Sequence, residues 1–152
     1  TKKKSKIFDY IKSDLIKKFN LKDEDLLVLL LPTCPLRSLK TLQKIIDYAT
    51  LIKKNCFTAN EYNFHLSFGF SLQKKSWKPL YKYSPMLTGN TQSQNQKKFY
   101  YPNPFANCMF IKNIKKSNKS IYQASLPFIT SPIESIDIDT FEDLKIAQKL
   151  AL

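Results

Sequence analysis

The chain has 152 residues, 43% of them hydrophobic, which is enough for one domain with a buried core and too few for two comfortable domains. Lysine and arginine total 25 against 12 acidic residues, and the formal charge of +13 would suit nucleic-acid binding. Arg37 is the only arginine, however, and lysine is poorly suited to reading base edges, so we expect no specific nucleic-acid partner.

The first third of the chain alternates helical and strand patterns. Apolar residues at helical spacing predict an amphipathic helix over residues 5–20. The apolar run of residues 26–31 predicts a buried parallel strand and is too short to span a bilayer. Ser38 is placed to cap a helix with a buried stripe over residues 39–52, and residues 56–59 predict the next strand. This order predicts an α/β, doubly wound sheet with helices on both faces.

The middle of the chain is irregular. Short strands are predicted over residues 68–72 and 78–81, a polar loop over 87–98, and further strands over 105–111 and 126–130. We therefore predict a single domain over residues 1–152 that carries a mixed insert at about 61–111. Such an insert commonly bears substrate contacts or a dimer interface.

The end of the chain regains a regular pattern. Ile136 and Ile138 alternate with Asp137 and Asp139, which predicts a strand. Residues 140–143, TFED, then predict a capping box that opens a final helix, with Leu144, Ala147 and Ala151 on its inner face.

Cysteine and histidine usage excludes several kinds of site. Cys34, Cys56 and Cys108 are widely spaced and form no CxxC pair, and His65 is the only histidine. Zinc bound by paired motifs and Ser-His or Cys-His catalysis are therefore not expected. We interpret the cysteines as buried reduced thiols in a cytoplasmic protein, and His65 as a packing residue.

Asp137 and Asp139 are the sharpest candidate metal ligands. Residues i and i+2 of a strand point to the same face, and ligands of α/β sheets bind beyond the carboxyl ends of strands. Two carboxylates there suit Mg²⁺, which commonly takes one or two of them together with substrate phosphates. The alternative is that both residues serve as turn and cap residues.

Two further features suit an anionic ligand. The loop of residues 32–37 follows a strand and precedes a helix, so its amides and Arg37 could hold an anion, although an ordinary connection has the same pattern. Residues 62–133 contain ten lysines and no acidic residue, which suits an anionic ligand and equally suits a solvated face.

These segments together resemble one family, the acylneuraminate cytidylyltransferases. Residues 27–37, LVLLLPTCPLR, are similar to that family's LLQPTSPLR segment, and residues 135–144, SIDIDTFEDL, to its SIDIDTPEDL segment. Between them, residues 91–96, TQSQNQ, and 100–103, YYPN, resemble its RSQDLP and YYxNG stretches. The resemblance covers nearly the whole chain.

The resemblance implies a Rossmann-like nucleotidyltransferase, usually a homodimer, that joins CTP to a nine-carbon keto sugar acid and releases pyrophosphate. It implies that Asp137 and Asp139 hold Mg²⁺ and that Arg37 shapes the pocket loop. It also implies that the stretch from Gln92 to Asn103 faces the sugar acid. The substrate-binding residues expected in this way are Arg37, Gln92, Gln94, Tyr101 and Asn103.

Several positions depart from the family pattern. Leu31 replaces a glutamine that contacts the sugar, and Gln92 replaces the arginine expected to pair with its carboxylate. Pro104 follows Asn103 where glycine is usual, and an alignment shifted by three residues would place Asn107 there instead. We also expect the family's Gly-rich phosphate loop to lie in a segment missing before Thr1. The alternative is a catalytically silent relative, or a fragment, that binds a sugar nucleotide or a partner subunit.

Overall fold

The computed structural model describes residues 7–92, 94, 96–116 and 120–151. The strands are β1 (Leu26–Leu29), β2 (Cys56–Glu61), β3 (Phe70–Gln73), β4 (Ser76–Pro79), β5 (Tyr100–Phe110) and β6 (Leu126–Ile129). The α-helices are α1 (Ile7–Tyr10), α2 (Ile16–Lys18), α3 (Leu39–Ile52), α4 (Pro85–Thr88), α5 (Ile111–Lys116) and α6 (Phe141–Leu150). A π-helical turn, Ile11–Leu15, joins α1 to α2.

The chain forms two compact units. The first comprises Thr1–Ala59 and Pro102–Leu152, and the second comprises Asn60–Tyr101. The insert predicted over about 61–111 overlaps the second unit, whereas its last residues, from Pro102 onward, belong to the first.

A four-stranded mixed sheet with the order β1-β5-β2-β6 forms the centre of the first unit. β1 and β5 are antiparallel, with Leu26 opposite Phe110, and β2 and β6 are parallel, with Cys56 opposite Leu126. The N–H of Phe110 donates to Asn55 Oδ1 over 2.9 Å, so the end of β5 lies beside the start of β2. The strands β1, β2 and β6 therefore run in the same direction, and their amino ends lie at the same end of the sheet.

Helices cover both faces of this sheet. Alternate residues of β1 point to opposite sides and therefore contact both helical layers. On one face, Leu26 and Val28 pack with the buried Ile45 and Ala49 of α3. On the other, Leu27 and Leu29 join a cluster of residues from the first helical segment, β5 and α5: Phe8, Ile11, Ile16, Met109, Ile111 and Ile114. The prediction of a mixed α/β fold is thus confirmed.

The strongest local signals of the sequence are confirmed. Ser38 accepts a hydrogen bond from the Thr41 N–H over 3.1 Å and caps α3 at the expected position. At the other end, Lys53 closes the helix in the left-handed region, at φ 52°. Thr140 and Asp143 form the predicted capping box of α6.

Several local predictions are wrong. The apolar run of residues 26–31 is not a buried parallel strand, because β1 ends at Leu29, is only partly buried and pairs antiparallel with β5. Residues 136–138 form no strand, because the Ile138 N–H bonds to the carbonyl of Thr33 in a loop rather than to a strand. Ile111 begins α5 instead of ending a strand. The polar loop expected over residues 87–98 overlaps α4, which extends to Thr88. Ala151, which was expected on the inner face of the last helix, is exposed. Residues 5 and 6 of the first predicted helix lie outside the described residues.

The second unit contains the antiparallel hairpin β3–β4, in which Phe70 lies opposite Pro79. Gly69 precedes the hairpin, and a Cβ there would lie 2.6 Å from Leu80 Cδ1 and 3.0 Å from the Leu66 carbonyl, which explains the need for glycine. Over the part of the chain that the structure describes, no helix is long and apolar enough to cross a membrane.

Candidate functional site

The two segments that carry the family resemblance meet beyond the carboxyl end of β1. The Ile138 N–H donates to the Thr33 carbonyl over 2.8 Å, and the Cys34 Sγ lies 3.4 Å from the Glu134 carbonyl, to which it donates. The Thr41 hydroxyl, in the first turn of α3, lies 2.9 Å and 3.0 Å from the two oxygens of the Glu134 carboxylate. Backbone and side-chain bonds therefore hold the 32–37 loop against residues 134–138.

Arg37 fastens this loop to β5. Its Nε donates to the carbonyl of Phe105 over 2.5 Å, and its Nη2 donates to Pro104 over 3.1 Å and also to Leu31. The guanidinium carbon lies 5.9 Å from the centre of the Phe105 ring. Through these contacts Arg37 holds the loop against β5, because its N–H groups are bonded to backbone carbonyls. Its assignment as a residue that contacts substrate stays a prediction.

Asp137 contains an orphaned polar atom. Among the described residues, its Oδ1 is the buried side-chain oxygen that has no hydrogen-bond partner. Buried carboxylate oxygens are normally paired, so this oxygen is available to accept from a water or to bind a cation. Three factors shift the pKa of the Cys34 thiol. Burial raises the pKa and is the largest factor, Arg37 lowers it, and the charge of Asp137 raises it.

Asp139 differs from Asp137 in its surroundings. It is exposed, and its N–H donates to Asp143 Oδ2 over 3.2 Å. The Asp143 carboxylate also accepts from the Thr140 N–H over 2.8 Å and from the Thr140 hydroxyl over 2.7 Å. Because Asp143 occupies the amides that precede α6, these amides are not available to a phosphate in this conformation.

One observation at Asp137 fits an open magnesium site, in which waters and substrate phosphates complete the coordination, rather than a closed protein cage. Within residues 7–92, 94, 96–116 and 120–151, no three His, Cys, Asp or Glu side chains cluster so that they could hold a metal ion. Mg²⁺ does not require three, because it is commonly bound by one or two carboxylates, waters and substrate phosphates. The orphaned oxygen of Asp137 is the observation that fits such an ion.

Asn103 lies in the first unit and is buried. Its Nδ2 donates to the Thr130 hydroxyl over 2.8 Å, and its Oδ1 accepts from the Phe105 N–H over 3.1 Å. Asn107, the residue that a shifted alignment would use, is also buried, opposite Leu29 in the β1–β5 register. Both amides lie within the sheet, and their predicted contact with a sugar acid remains untested.

Gln92, Gln94 and Tyr101 lie in the second unit. The Gln92 carbonyl accepts from Gln96 Nε2 over 3.4 Å, and Gln94 is exposed. Tyr101 packs on Tyr62 with ring centres 4.7 Å apart. Residues 93 and 95 of the same predicted motif lie outside the described residues.

Sequence reasoning missed Glu134 and Thr41, which link α3 to the aspartate segment. The sequence contains a clue to Glu134, because this residue is the first acidic one after the acid-free stretch of residues 62–133. The three cysteines are free and buried, as expected. Burial raises the pKa of Cys56 to about 11, and burial together with the nearby Cys56 raises that of Cys108 to about 12.

We compared the chain with models of protein families and with curated proteins. No family model matches it, and no curated protein shows a significant match.

Proposed function

We propose that this chain belongs to a CMP-sugar synthetase-like nucleotidyltransferase that joins CTP to a nonulosonic, sialic-acid-like keto sugar acid. The proposal includes a Rossmann-like fold, a homodimer, a cytoplasmic location and a requirement for Mg²⁺. The observation that carries it is the meeting of the 32–37 loop and the aspartate segment at one end of β1, together with the orphaned Oδ1 of Asp137.

The proposed reaction assigns a task to each of these residues. The anomeric hydroxyl of the sugar acid attacks the α-phosphorus of CTP, a new C–O–P bond forms, the bond to the β-phosphate breaks, and pyrophosphate and the hydroxyl proton leave. Asp137 and Asp139 would hold Mg²⁺, which offsets the negative charge of the phosphates when it is bound. Arg37 keeps the neighbouring loop in place through its three carbonyl contacts.

The position of the site supports the proposal on physical grounds. Ligands of α/β sheets bind beyond the carboxyl ends of strands, and the 32–37 loop follows the carboxyl end of β1. A carboxylate oxygen that is buried and unpaired costs stability, so its presence is readily explained if a cation pairs with it during function.

Pyrophosphate release tests the proposed function. The protein, produced as its gene encodes it, is incubated with CTP, a panel of nonulosonic acids and varied Mg²⁺, and Asp139→Asn is expected to abolish release while the fold remains intact. Glu142→Gln is the matched control, because it removes one exposed carboxylate from the same segment. Binding of Mn²⁺ in the presence of CTP, followed by water-proton relaxation, gives a second readout that does not depend on turnover. Turnover by Asp139→Asn equal to that of the unaltered protein would refute the metal assignment.

The second candidate is a catalytically silent relative that binds a sugar nucleotide or a partner subunit. Two features favour this candidate. The guanidinium group of Arg37 is bonded to backbone carbonyls. Leu31 and Gln92 occupy positions where the family has polar or charged contacts with the sugar. If the unaltered protein binds a CMP-sugar but turns over no sugar acid, this candidate is preferred.

A further inference from the structure

A cavity of about 540 Å³ lies in the first unit, at the sheet edge opposite the candidate site. It is located where α3 leads into β2 and where β6 begins, beside the amino ends of the strands. The described residues that line it are Lys53, Lys54, Asn113, Lys116, Gln123, Ala124, Ser125 and Leu126. Its volume falls in the range of pockets that hold small molecules.

The lining of this cavity is strongly basic. Lys53, Lys54 and Lys116 contribute three ammonium groups, and no described lining residue is acidic. Among the described residues, the ion pairs are Lys98 with Glu61 and Lys115 with Asp23, so neither involves a lining lysine. Asp23 is the nearby acid; its pKa is lowered mainly by its bond to Lys115, with smaller effects from Lys116 and Lys112. All three lysines are exposed, so water screens their mutual repulsion, and an anion placed among them would be attracted by all three ammonium groups.

The backbone at two places in the cavity wall is held in an unfavourable conformation. Lys53 and Ala124 have φ of 52° and 57°, and they are two of the three described non-glycine residues with positive φ. Glycine or asparagine is the usual choice for such a position, above all at the end of a helix, where Lys53 lies. For Lys53 the conformation has a structural reason, since many helices end in a left-handed residue, and it fixes where α3 turns into β2 at the cavity wall.

The polar wall of the cavity is already ordered. Asn113 Nδ2 donates to Asn55 Oδ1 over 3.0 Å, and Asn55 Oδ1 also accepts from the Phe110 N–H. The Ser125 hydroxyl donates to the Ile121 carbonyl over 2.8 Å. Leu126 and Ala124 add apolar surface. The cavity therefore combines point charges suited to phosphates with an apolar and amide-bearing wall suited to a base.

We propose that this cavity binds a nucleoside polyphosphate, with Lys53, Lys54 and Lys116 on its phosphates. The site is separate from the aspartate segment and does not depend on the proposed transferase activity. A nucleotide suits the cavity better than phosphate alone, because the charges occupy only part of a lining that also offers amide and apolar groups.

Binding of N-methylanthraniloyl-ATP and N-methylanthraniloyl-CTP to the protein is measured by fluorescence. EDTA is present, so a site that requires a metal ion does not bind these probes. The pair Lys53→Asn and Lys116→Gln is expected to raise Kd at least tenfold. Asparagine preserves the left-handed backbone at position 53, so folding is not compromised there. The matched control is Lys40→Gln with Lys44→Gln, which removes two exposed charges from α3. It is expected to change Kd by less than twofold, and Asp137→Asn is expected to leave it unchanged.

Amide chemical shifts on titration with unlabelled ATP give a second readout, and shifts centred on residues 53–54 and 123–126 would support the site. Three outcomes would overturn the proposal. The first is equal weakening by the control pair, which indicates a general charge effect. The second is inorganic triphosphate binding as tightly as ATP, which indicates a polyphosphate site. The third is single-stranded RNA displacing the nucleotide at far lower concentration, which indicates a nucleic-acid surface.

Discussion

The backbone N–H of Ile138 donates a hydrogen bond of 2.8 Å to the carbonyl oxygen of Thr33, and these two residues belong to segments more than one hundred positions apart in the chain. The bond lies just beyond the carboxyl end of β1, where the proposed metal site would be. It brings the proline-rich loop and the aspartate segment to one place without the extra strand that the alternation of residues 136–139 predicts. The stability of this region should therefore depend on loop contacts that can be removed one at a time.

Arg37→Lys should lower the free energy of unfolding by about 1–3 kcal/mol, because a lysine cannot satisfy the carbonyls of Leu31, Pro104 and Phe105 together. Equilibrium unfolding in urea measures the loss. Lys40→Gln on the exposed face of α3 is the control and should change stability little. A variant as stable as the unaltered chain would contradict a clamping role for Arg37.

Some of these relationships could be predicted from the sequence and others could not. Ser38 and the helical spacing after it predicted α3, because a cap and a periodic stripe are local signals. The alternation of Ile136 with Asp137 predicted a strand wrongly, since alternation reports which side is buried and not whether a neighbouring strand is free to pair. The partners of Arg37 and the wall of the basic cavity depend on contacts between distant segments, which local patterns do not contain.

The capping box of α6 should make stability depend on pH. Hydrogen bonds from Thr140 lower the pKa of Asp143, so the folded state favours the ionised form. The contribution is fully present above the ordinary pKa of an aspartate, about 4, and is lost as the pH falls through the lower value of the folded state. The stability difference between the unaltered chain and Asp143→Asn should shrink as the pH is lowered through this window. Thr140→Ala should cost about 1 kcal/mol at neutral pH. A difference that stays constant with pH would exclude this contribution.

The three thiols should resist modification in the folded protein. Burial raises the pKa of Cys56 to about 11 and, with the nearby Cys56, that of Cys108 to about 12, so little thiolate is present at pH 8 and access is blocked. Ellman's reagent should label Cys34, Cys56 and Cys108 only after the chain is unfolded in guanidinium. Rapid labelling of any of them under native conditions would show that the core opens readily.

The orphaned oxygen of Asp137 leads to a prediction that separates a metal ligand from a structural turn residue. Asp137→Asn removes a charge whose Oδ1 is buried without a partner, so in EDTA the variant should be as stable as the unaltered chain or more stable, by up to about 2 kcal/mol. Asp139→Asn should have little effect in EDTA because Asp139 is exposed. These measurements define the metal-free reference.

Millimolar Mg²⁺ with CTP should then raise the melting temperature of the unaltered chain, since a ligand that binds only the folded state stabilises it by mass action. The increase should disappear in both aspartate variants and persist in Glu142→Gln, which carries the same change of charge nearby. A turn-forming role for Asp137 predicts instead little change in the stability of Asp137→Asn in EDTA and no response to Mg²⁺ in any of the proteins. Because asparagine forms turns and caps about as well as aspartate, a difference between the two side chains that appears only with Mg²⁺ points to the carboxylate charge.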